Sequence, residues 1–525
     1  MGLFKKINFS IIFNLLGMLL IMNGLFMFAA YLMELYYDQG LSLNLFLAAF
    51  TTVLAGSFLY FKTKSGSKKI ANREGYLVVG IGWILLTGTG TFPYLFSSFN
   101  LSDAILEKNN FSFINLFFES ASGYTTTGST ILNDIEILPH SLLFWRSLTH
   151  WIGGMGIIVL TIAILPFLGI GGMQLFIAEA PGITADKLHP RITDTAKRLW
   201  LIYIFLTFVQ TLFLKLAGMN WFDAINHAMS TLSTGGFSTK NASIAFWNDT
   251  PLIQYIIILF MFLAGANFIL NYFLLKFQFK KIIADEEFRY YAGIVVVATI
   301  VVSFCIYQFS DPLLSSINHE SDIFKTGGQM NYTVEASIRH ALFSIVSVIT
   351  TTGFVSADFS IWTPFVSVVF FALMFLGGSA GSTAGGVKVV RHIVLIKNGW
   401  TEFKRMMHPN AIIPVVLNNK AVSQKIVYQV LAFFMIYMLI FIFGSIIMSF
   451  LIKDVVASDK SLISALTVTA TSLGNIGPAF GHFSPVLNFS ALTDVGKLFS
   501  AFLMILGRLE LFTILILLTP TFWRK

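Results

Sequence analysis

The sequence predicts an all-α polytopic membrane protein in which four pseudo-symmetric repeats surround one central pore, with an extra helix pair at the N-terminus. Three observations predict this fold class. Of the 525 residues, 56% are hydrophobic and only 11% are charged, whereas soluble domains carry about 25% charged residues. Ten apolar stretches are long enough to cross a bilayer as helices, and four connections between them contain similar Gly- and Thr-rich segments. A water-soluble globular protein is therefore excluded.

The predicted spans follow one another along almost the whole chain. Each reaches about 20 residues, the length that crosses roughly 30 Å of hydrocarbon as a helix. The first follows Lys5 and Lys6, and we interpret it as a retained span because its apolar run exceeds the roughly 7–15 residues of a signal-peptide core. The ten spans are 10–37, 41–61, 76–96, 141–169, 198–218, 251–275, 290–310, 361–387, 426–452 and 498–523.

Basic residues concentrate on alternate connections between the spans. With a cytoplasmic N-terminus, the inner segments hold 24 of the 34 Lys and Arg residues but only 8 of the 26 acids. This positive-inside bias predicts that both termini are cytoplasmic. The net charge of +8 is therefore a topology signal, and no nucleic-acid partner is expected. The single cysteine, Cys305, excludes a disulfide framework or a CxxC metal or redox pair.

Four outer connections contain a stretch too short to span, followed by Gly, Thr and Ser. Non-helical backbone at membrane depth occurs where it is buried in protein or lines an aqueous cavity, so we interpret these segments as re-entrant pore helices and loops. In each, one glycine lies twelve residues after a Leu or Ala, which aligns the four copies. The segments are Asn115–Thr130, Asp223–Thr239, His340–Ser356 and Ser464–Gly481, and their aligned glycines are Gly128, Gly236, Gly353 and Gly477.

This alignment divides the chain into five parts. Each repeat contains a span, a pore helix, a loop and a second span. The second repeat begins with a cytoplasmic linker, and the fourth begins with a cytoplasmic segment. The parts are the helix pair 1–62 and the repeats 76–170, 171–278, 279–400 and 401–525.

The aligned loops predict an ion filter. A ring of backbone carbonyls can replace the water shell of a monovalent cation without adding full charges that would trap it. Glycine permits backbone conformations that are closed to other residues, and the carbonyl ends of the pore helices favour a cation. In the fourth loop Gly474 is an alternative to Gly477. The predicted filter residues are Thr126, Thr127, Gly128, Thr234, Gly235, Gly236, Thr351, Thr352, Gly353, Asn475, Ile476 and Gly477.

A glycine-rich break in the second span of the third repeat predicts a gate. Five glycines in the ten residues Gly377–Gly386 sustain a helix poorly, since each costs roughly 1 kcal/mol against Ala. We expect a flexible intramembrane loop beneath the filter; the alternative is a kinked span packed closely on a neighbour through small residues. The gate residues are Gly377, Gly378, Ser379, Gly381, Ser382, Thr383, Gly385, Gly386 and, in the last span, Arg508.

We predict a separate role for each of three charged side chains at membrane depth. Arg508 is costly there and is expected to face protein interior or water: either it lies beside the pore below the filter, or it is buried against a structural carboxylate. Glu119 is expected to hold the first filter loop through backbone N–H groups. Asp223 is expected to cap the second pore helix.

Enzyme signatures are missing from the sequence. It contains no GxxxxGK[ST], HExxH or DKTGT motif, so we expect neither catalysis nor an organic cofactor in this chain. Energy for accumulating a cation would come from the membrane potential, worth roughly 2.3 kcal/mol per charge per 100 mV. A K+ symporter coupled to Na+ or H+ is the alternative, since broken helices also serve alternating access.

Five motifs in order, TTTGST, HWIGGMG, STGGFST, GGSAGSTAGGVK and GRLELFT, resemble the Trk/Ktr/HKT superfamily of potassium transporters. The resemblance covers essentially the whole chain, including the extra N-terminal pair, and is strongest to the ion-translocating subunits of bacterial Trk uptake systems. It implies four repeats around one pore, with K+ and Rb+ preferred where glycine stands at Gly128. The fourth loop departs from it, reading GPAFG where GPGLG is commoner.

The resemblance also implies partners and a location. The chain is expected to form a homodimer in the bacterial inner membrane and to bind a cytoplasmic ring of nucleotide-binding, TrkA-like RCK subunits. The docking surface would include Lys388–Lys425, with Lys397, Lys404 and Arg405, and the linker 170–198. By the same resemblance, the glycine-rich loop obstructs the pore until activation, and Arg508 lies beside the pore.

Overall fold

The computed structural model describes residues 7–63, 72–168, 192–309 and 333–524. The chain begins with two long antiparallel helices, α1 (Phe9–Tyr37) and α2 (Ser42–Lys62). They cross closely through small residues, because a methyl group on Gly17 would lie 2.7 Å from the Gly56 carbonyl oxygen. This pair forms the extra element that the sequence predicts outside the repeats.

The helix pair supports the first repeat through buried polar contacts. The Tyr124 hydroxyl, at the end of the first pore helix, donates to the Asn23 amide oxygen of α1 at 2.6 Å. The Ser141 hydroxyl donates to the Glu34 carboxylate at 2.6 Å. Buried polar groups are costly unless paired, so these contacts fix α1 against the pore.

The first two repeats each place a short pore helix between two longer helices. The first contains α3 (Asn72–Gly90), α4 (Phe92–Ser97), α5 (Asp103–Asn109), the pore helix α6 (Phe113–Tyr124) and α7 (His140–Leu168). The second contains α8 (Ile192–Leu216), the pore helix α9 (Trp221–Leu232), a 3-10 turn at Ser243–Trp247, α10 (Pro251–Gly265) and α11 (Phe268–Leu275).

The third and fourth repeats follow the same order, with an insertion between them. The third contains α12 (Phe279–Ala284), α13 (Glu286–Phe309), the pore helix α14 (Val334–Ile349), α15 (Pro364–Leu373) and α16 (Val389–Met407). A two-stranded antiparallel hairpin, β1 (Val416–Leu417) and β2 (Lys420–Ala421), follows. The fourth contains α17 (Gln424–Leu451), the pore helix α18 (Ser458–Gly474), a 3-10 turn at Gly481–Phe483, α19 (Asp494–Arg508), α20 (Phe512–Leu518) and α21 (Pro520–Trp523).

The helical membrane fold is confirmed, and three predicted spans are corrected. Within the described ranges six helices are long and apolar enough to cross a membrane, and two sharply bent pairs raise the number to eight. The predicted span 251–275 bends by 116° between α10 and α11, and 498–523 bends by 114° between α19 and α20. Of the predicted span 361–387, only Pro364–Leu373 is helical.

Local chemistry accounts for the bends. The Asn267 side chain accepts a hydrogen bond from Ile269 N at 2.8 Å and so begins α11 as a new helix. Glu510 and Leu511 adopt φ values of 53° and 58°, which end α19 immediately after Arg508. Arg508 therefore lies at the end of a half-helix, and the expectation that it sits in the middle of a continuous span is wrong.

Candidate ion pore and its gate

The four pore helices converge with their carbonyl ends towards one point. Three of them begin at a side-chain cap: Ser112, Asn220 and Thr333 accept from backbone N–H groups three residues on. The predicted cap Asp223 is wrong, because Asn220 occupies that position and Asp223 instead accepts from the Thr239 hydroxyl at 2.5 Å.

The four filter loops share one backbone conformation. In each, the residue two before the aligned glycine has a left-handed φ between 53° and 55°, and the glycine has a φ between 79° and 109°. The residue between them donates its N–H to the pore-helix carbonyl five residues earlier, at 2.8–3.0 Å. These donors are Thr127, Gly235, Thr352 and Ile476.

The same conformation assigns the register of the fourth loop. Gly477 has a φ of 109°, and Asn475, two residues earlier, has a φ of 54°. Gly474 is instead the last residue of helix α18. The alternative register through Gly474 is therefore wrong for this backbone.

The four loops close into a ring, each touching the next. A methyl group on Gly128 would lie 2.2 Å from the Gly235 carbonyl oxygen, and one on Gly236 would lie 2.0 Å from that of Thr352. A methyl group on Gly353 would lie 2.2 Å from the Ile476 carbonyl oxygen, and one on Gly477 would lie 2.8 Å from that of Thr127. Only glycine fits such contacts at positive φ.

Side chains behind the ring hold the loops without pointing full charges at it. The Thr125 and Thr350 hydroxyls donate to their own pore helices and contact the Thr127 and Thr352 hydroxyls at 2.7 and 2.8 Å. In the fourth loop, the Asn475 amide donates to the Thr127 hydroxyl at 3.0 Å. The ring is therefore fixed by neutral hydrogen bonds across repeats 1 and 4.

An outer cavity of about 240 Å³ opens above the ring and is lined by all four aligned glycines. Of the predicted filter residues, the four aligned glycines therefore line one cavity, and a pore helix leads into each of their loops. Such an arrangement can replace the hydration shell of a cation with backbone carbonyls and disfavours anions.

The glycine-rich loop Gly377–Gly386 lies directly on the inner side of these loops. The Thr383 hydroxyl donates to the Leu232 carbonyl, at the end of the second pore helix, at 2.9 Å. Gly385 N donates to the hydroxyl of the filter residue Thr351 at 2.7 Å, and a methyl group on Gly385 would lie 2.7 Å from the Gly474 carbonyl oxygen. The loop therefore contacts repeats 2, 3 and 4 beneath the filter.

Backbone hydrogen bonds hold this loop in place. Gly377 N donates to the Val387 carbonyl at 2.8 Å, which joins the two ends of the loop. Ser379 N donates to the Gly265 carbonyl at 2.8 Å, at the bend between α10 and α11. The alternative of a kinked span is wrong, since the segment between Leu373 and Val389 is not helical.

Arg508 contacts the glycine-rich loop on the side of the first repeat. Its guanidinium donates to the Thr383 carbonyl at 2.9 Å and to the Gly153 carbonyl of α7 at 2.8 Å. Arg508 is 5% exposed. It thereby joins the loop to the first repeat, directly below the filter.

Sequence reasoning did not predict the contacts of Glu287 or the ion pair of Glu510 beside the glycine-rich loop. Glu287, at the start of α13, accepts from Ala380 N at 2.7 Å and from Val390 N at 3.2 Å, and so joins the glycine-rich loop to the first turn of α16. Glu510, two residues after Arg508, forms an ion pair with Arg391 of α16. An acid at the start of a span, such as Glu287, resembles an ordinary surface residue, and Glu510 is marked in the sequence only by its closeness to Arg508.

Comparison with known proteins agrees with this geometry. The TrkH family model, described as cation transport protein, matches residues 41–525. TrkH, the Trk system potassium uptake protein of Salmonella typhimurium, is 38% identical over 99% of this chain and 100% of its own length. TrkG of Escherichia coli is 32% identical over 98% of this chain and 99% of its own length. The crystal structure of the potassium transporter TrkH from Vibrio parahaemolyticus aligns with a TM-score of 0.81 at 34% identity, covering 99% of this chain and 100% of that one. The chain belongs to the TrkH family of cation transport proteins.

Proposed function

We propose that this chain is the K+-conducting subunit of a bacterial potassium uptake system, carrying K+ and Rb+ inward along the electrochemical gradient. The observation that carries the proposal is the closed ring in which each of four glycines contacts the carbonyl of the next loop. The relatives named as potassium uptake proteins cover its whole length and support the same ion. Four filter loops meeting at one point favour a pore over the coupled symporter.

The gate of this pore is the loop Gly377–Gly386 with Arg508. The loop contacts repeats 2, 3 and 4 beneath the filter, and Arg508 joins it to the first repeat. A guanidinium below the filter also repels an approaching K+. Opening requires the loop and Arg508 to leave this position together.

Control comes from a cytoplasmic, nucleotide-binding TrkA-like RCK partner that docks on the inner segment after the gate. The hairpin and α16 form one unit with the start of α13, because Lys397 pairs with Glu286 and Asn418 N donates to Glu286 at 3.0 Å. Lys404 is exposed on this unit, and an acidic partner face suits it. Lys388 is buried and is not part of the surface; in the linker 170–198, residues 170–191 lie outside the described ranges.

The chain works as a homodimer in the bacterial inner membrane with both termini in the cytoplasm. The concentration of basic residues on the inner segments supports this orientation. Whole-cell uptake tests the proposal: bacteria lacking their own K+ uptake are given this chain, and radioactive Rb+ entry is followed with the membrane potential intact or collapsed. Uptake should follow the potential; uptake that persists without the potential but needs a Na+ or H+ gradient favours the symporter.

Glu287→Ala is expected to raise resting K+ flux. The change removes two hydrogen bonds to a buried carboxylate, each worth about 1.5–3 kcal/mol, one from Ala380 in the gate loop and one from Val390 in the helix that follows it. A coupling free energy of this size corresponds to a rise in resting flux of about fivefold or more. The measurement is Rb+ flux in liposomes containing the purified chain.

The matched control is Glu286→Ala. Glu286 neighbours Glu287, but its bonds go to Lys397 and Asn418 of the docking unit. The Glu286→Ala substitution should leave resting K+ flux unchanged. Equal flux in both variants and in the unaltered chain would show that Glu287 does not hold the gate.

A further inference from the structure

A buried ion pair lies just outside the filter and is not used by the pore and gate described above. Arg146 of α7 donates to the Glu119 carboxylate of the first pore helix at 2.7 Å, and their side chains are only 2% and 1% exposed. Arg146 also lines the outer cavity whose lining includes the four filter glycines. The pair is therefore close to the path of an entering ion.

Glu119 fixes the outer end of the first filter loop. Its carboxylate accepts from the Thr130 hydroxyl and from Ile131 N, each at 3.0 Å. Thr130 and Ile131 follow Gly128 by two and three residues. The expected role of Glu119 in holding this loop thus agrees with its contacts, which include Arg146 as well.

Arg146 extends the same support to the second filter loop. It donates to the Ser238 carbonyl at 3.0 Å, and its guanidinium lies 3.8 Å from the centre of the Phe237 ring. Phe237 and Ser238 directly follow Gly236. Arg146 and Glu119 together therefore join the outer ends of filter loops 1 and 2.

The other repeats use different chemistry at the same position. Nine residues before the aligned glycine, where the first repeat has Glu119, the second has His227, the third Ser344 and the fourth Val468. His227 contacts the Ser238 hydroxyl at 2.9 Å. The acid is thus particular to the repeat that faces Arg146.

The charge of Arg146 makes this partner necessary. An arginine cannot lose its proton in a protein, and an unpaired cation at the mouth would repel entering K+ through a medium that screens poorly. Glu119 cancels that charge while it holds the loop. A lysine in place of Arg146 would keep the charge but lose the planar fork that reaches both Glu119 and Ser238.

We propose that Glu119 and Arg146 form a positioning pair that couples filter loops 1 and 2 and keeps the pore mouth electrically neutral, so that it sets both ion selectivity and K+ entry. The proposal rests on the proposed function, since it concerns the same pore. It adds a selectivity-determining contact outside the filter sequence itself.

The test is K+ and Na+ flux in liposomes, per folded protein, at low and high ionic strength. Glu119→Gln exposes the arginine charge and should lower K+ entry roughly tenfold at low salt, because the local potential sets the cation concentration in a cleft, with a smaller loss at high salt. Arg146→Met leaves the carboxylate and should raise K+ entry relative to Glu119→Gln. Both should lower the ratio of K+ to Na+ flux, since both release the loops.

Two further variants separate charge from folding. Arg146→Lys retains the charge balance, so K+ entry should be kept while the K+ to Na+ ratio falls. Glu335→Gln is the matched control, because Glu335 pairs with Arg339 at 2.8 Å at the start of the third pore helix with its side chain 52% exposed; flux should not change. Two results would overturn the proposal: an equal shift in K+ entry for Glu119→Gln and Arg146→Met at both salt concentrations, or full K+ over Na+ selectivity in Arg146→Lys. If the unaltered chain carries no K+ flux at all, the proposed function is refuted instead.

Discussion

Gly236→Ala should abolish selective K+ flux. The added methyl group would lie 2.0 Å from the Thr352 carbonyl oxygen at a φ of 85°. The left-handed backbone alone costs alanine roughly 1–2 kcal/mol, and the overlap forces the second and third loops apart, so flux should fall at least about tenfold. Because the ring is closed, a gap at one contact affects all four loops. Rb+ and Na+ flux in liposomes measures the change.

Gly293→Ala is the control for this substitution. Gly293 lies in α13, and a methyl group there would meet nothing within 4 Å. Its flux and its selectivity should match those of the unaltered chain. If Gly236→Ala conducts K+ over Na+ as well as Gly293→Ala does, the ring is not the filter.

Arg508→Ala should open the pore at rest. The change removes hydrogen bonds to the Thr383 and Gly153 carbonyls, each worth about 1.5–3 kcal/mol for a charged donor, and it removes a cation from below the filter. The closed loop loses its link to the first repeat, and resting K+ flux should rise at least about tenfold. Shortening the loop within Gly377–Gly386 should also raise resting K+ flux.

A second arginine separates this role from a general loss of structure. Arg405 also donates to a backbone carbonyl, that of Ile413 at 2.6 Å, but its hydrogen bonds go to Glu402 and Ile413 and not to the filter loops or the glycine-rich loop. Arg405→Ala should leave resting flux as it was. Unchanged resting flux in both Arg508→Ala and the shortened loop would leave Arg508 with a purely structural role and would refute the gate.

The filter was predictable because its signal is repeated. One Gly-rich stretch such as TTTGST is compatible with an ordinary turn, whereas four stretches with the same Ala- or Leu-to-Gly spacing require a common role. The structure places the glycines Gly128, Gly236, Gly353 and Gly477 at equivalent positive φ values. The non-helical conformation of Gly377–Gly386 was predictable for a related reason, since five glycines in ten residues oppose a helix.

The bends after Gly265 and Arg508 could not be read from the sequence. The predicted spans 251–275 and 498–523 continue across them, and neither bend contains proline. The second bend places Glu510 and Leu511, both non-glycine residues, at positive φ, a conformation that tertiary contacts must stabilise. Those contacts, such as the ion pair between Glu510 and Arg391, join residues more than one hundred positions apart.

Arg146 was missed for a similar reason. A single arginine in the outer half of an apolar helix resembles a residue that extends its charge to the interface. Its partner Glu119 precedes it by 27 residues, in a different helix. Only the folded chain brings the two together beside Phe237, which the sequence shows simply as one residue of the STGGFST motif.

The most direct measurement of the central claim is cation flux into liposomes containing the purified chain alone, under an imposed membrane potential, with K+, Rb+ and Na+ compared. A pore with four glycine loops should carry K+ and Rb+ well above Na+, driven by the potential without any Na+ or H+ gradient. Equal Na+ flux would contradict the filter, and flux that requires a Na+ or H+ gradient would identify a coupled transporter instead.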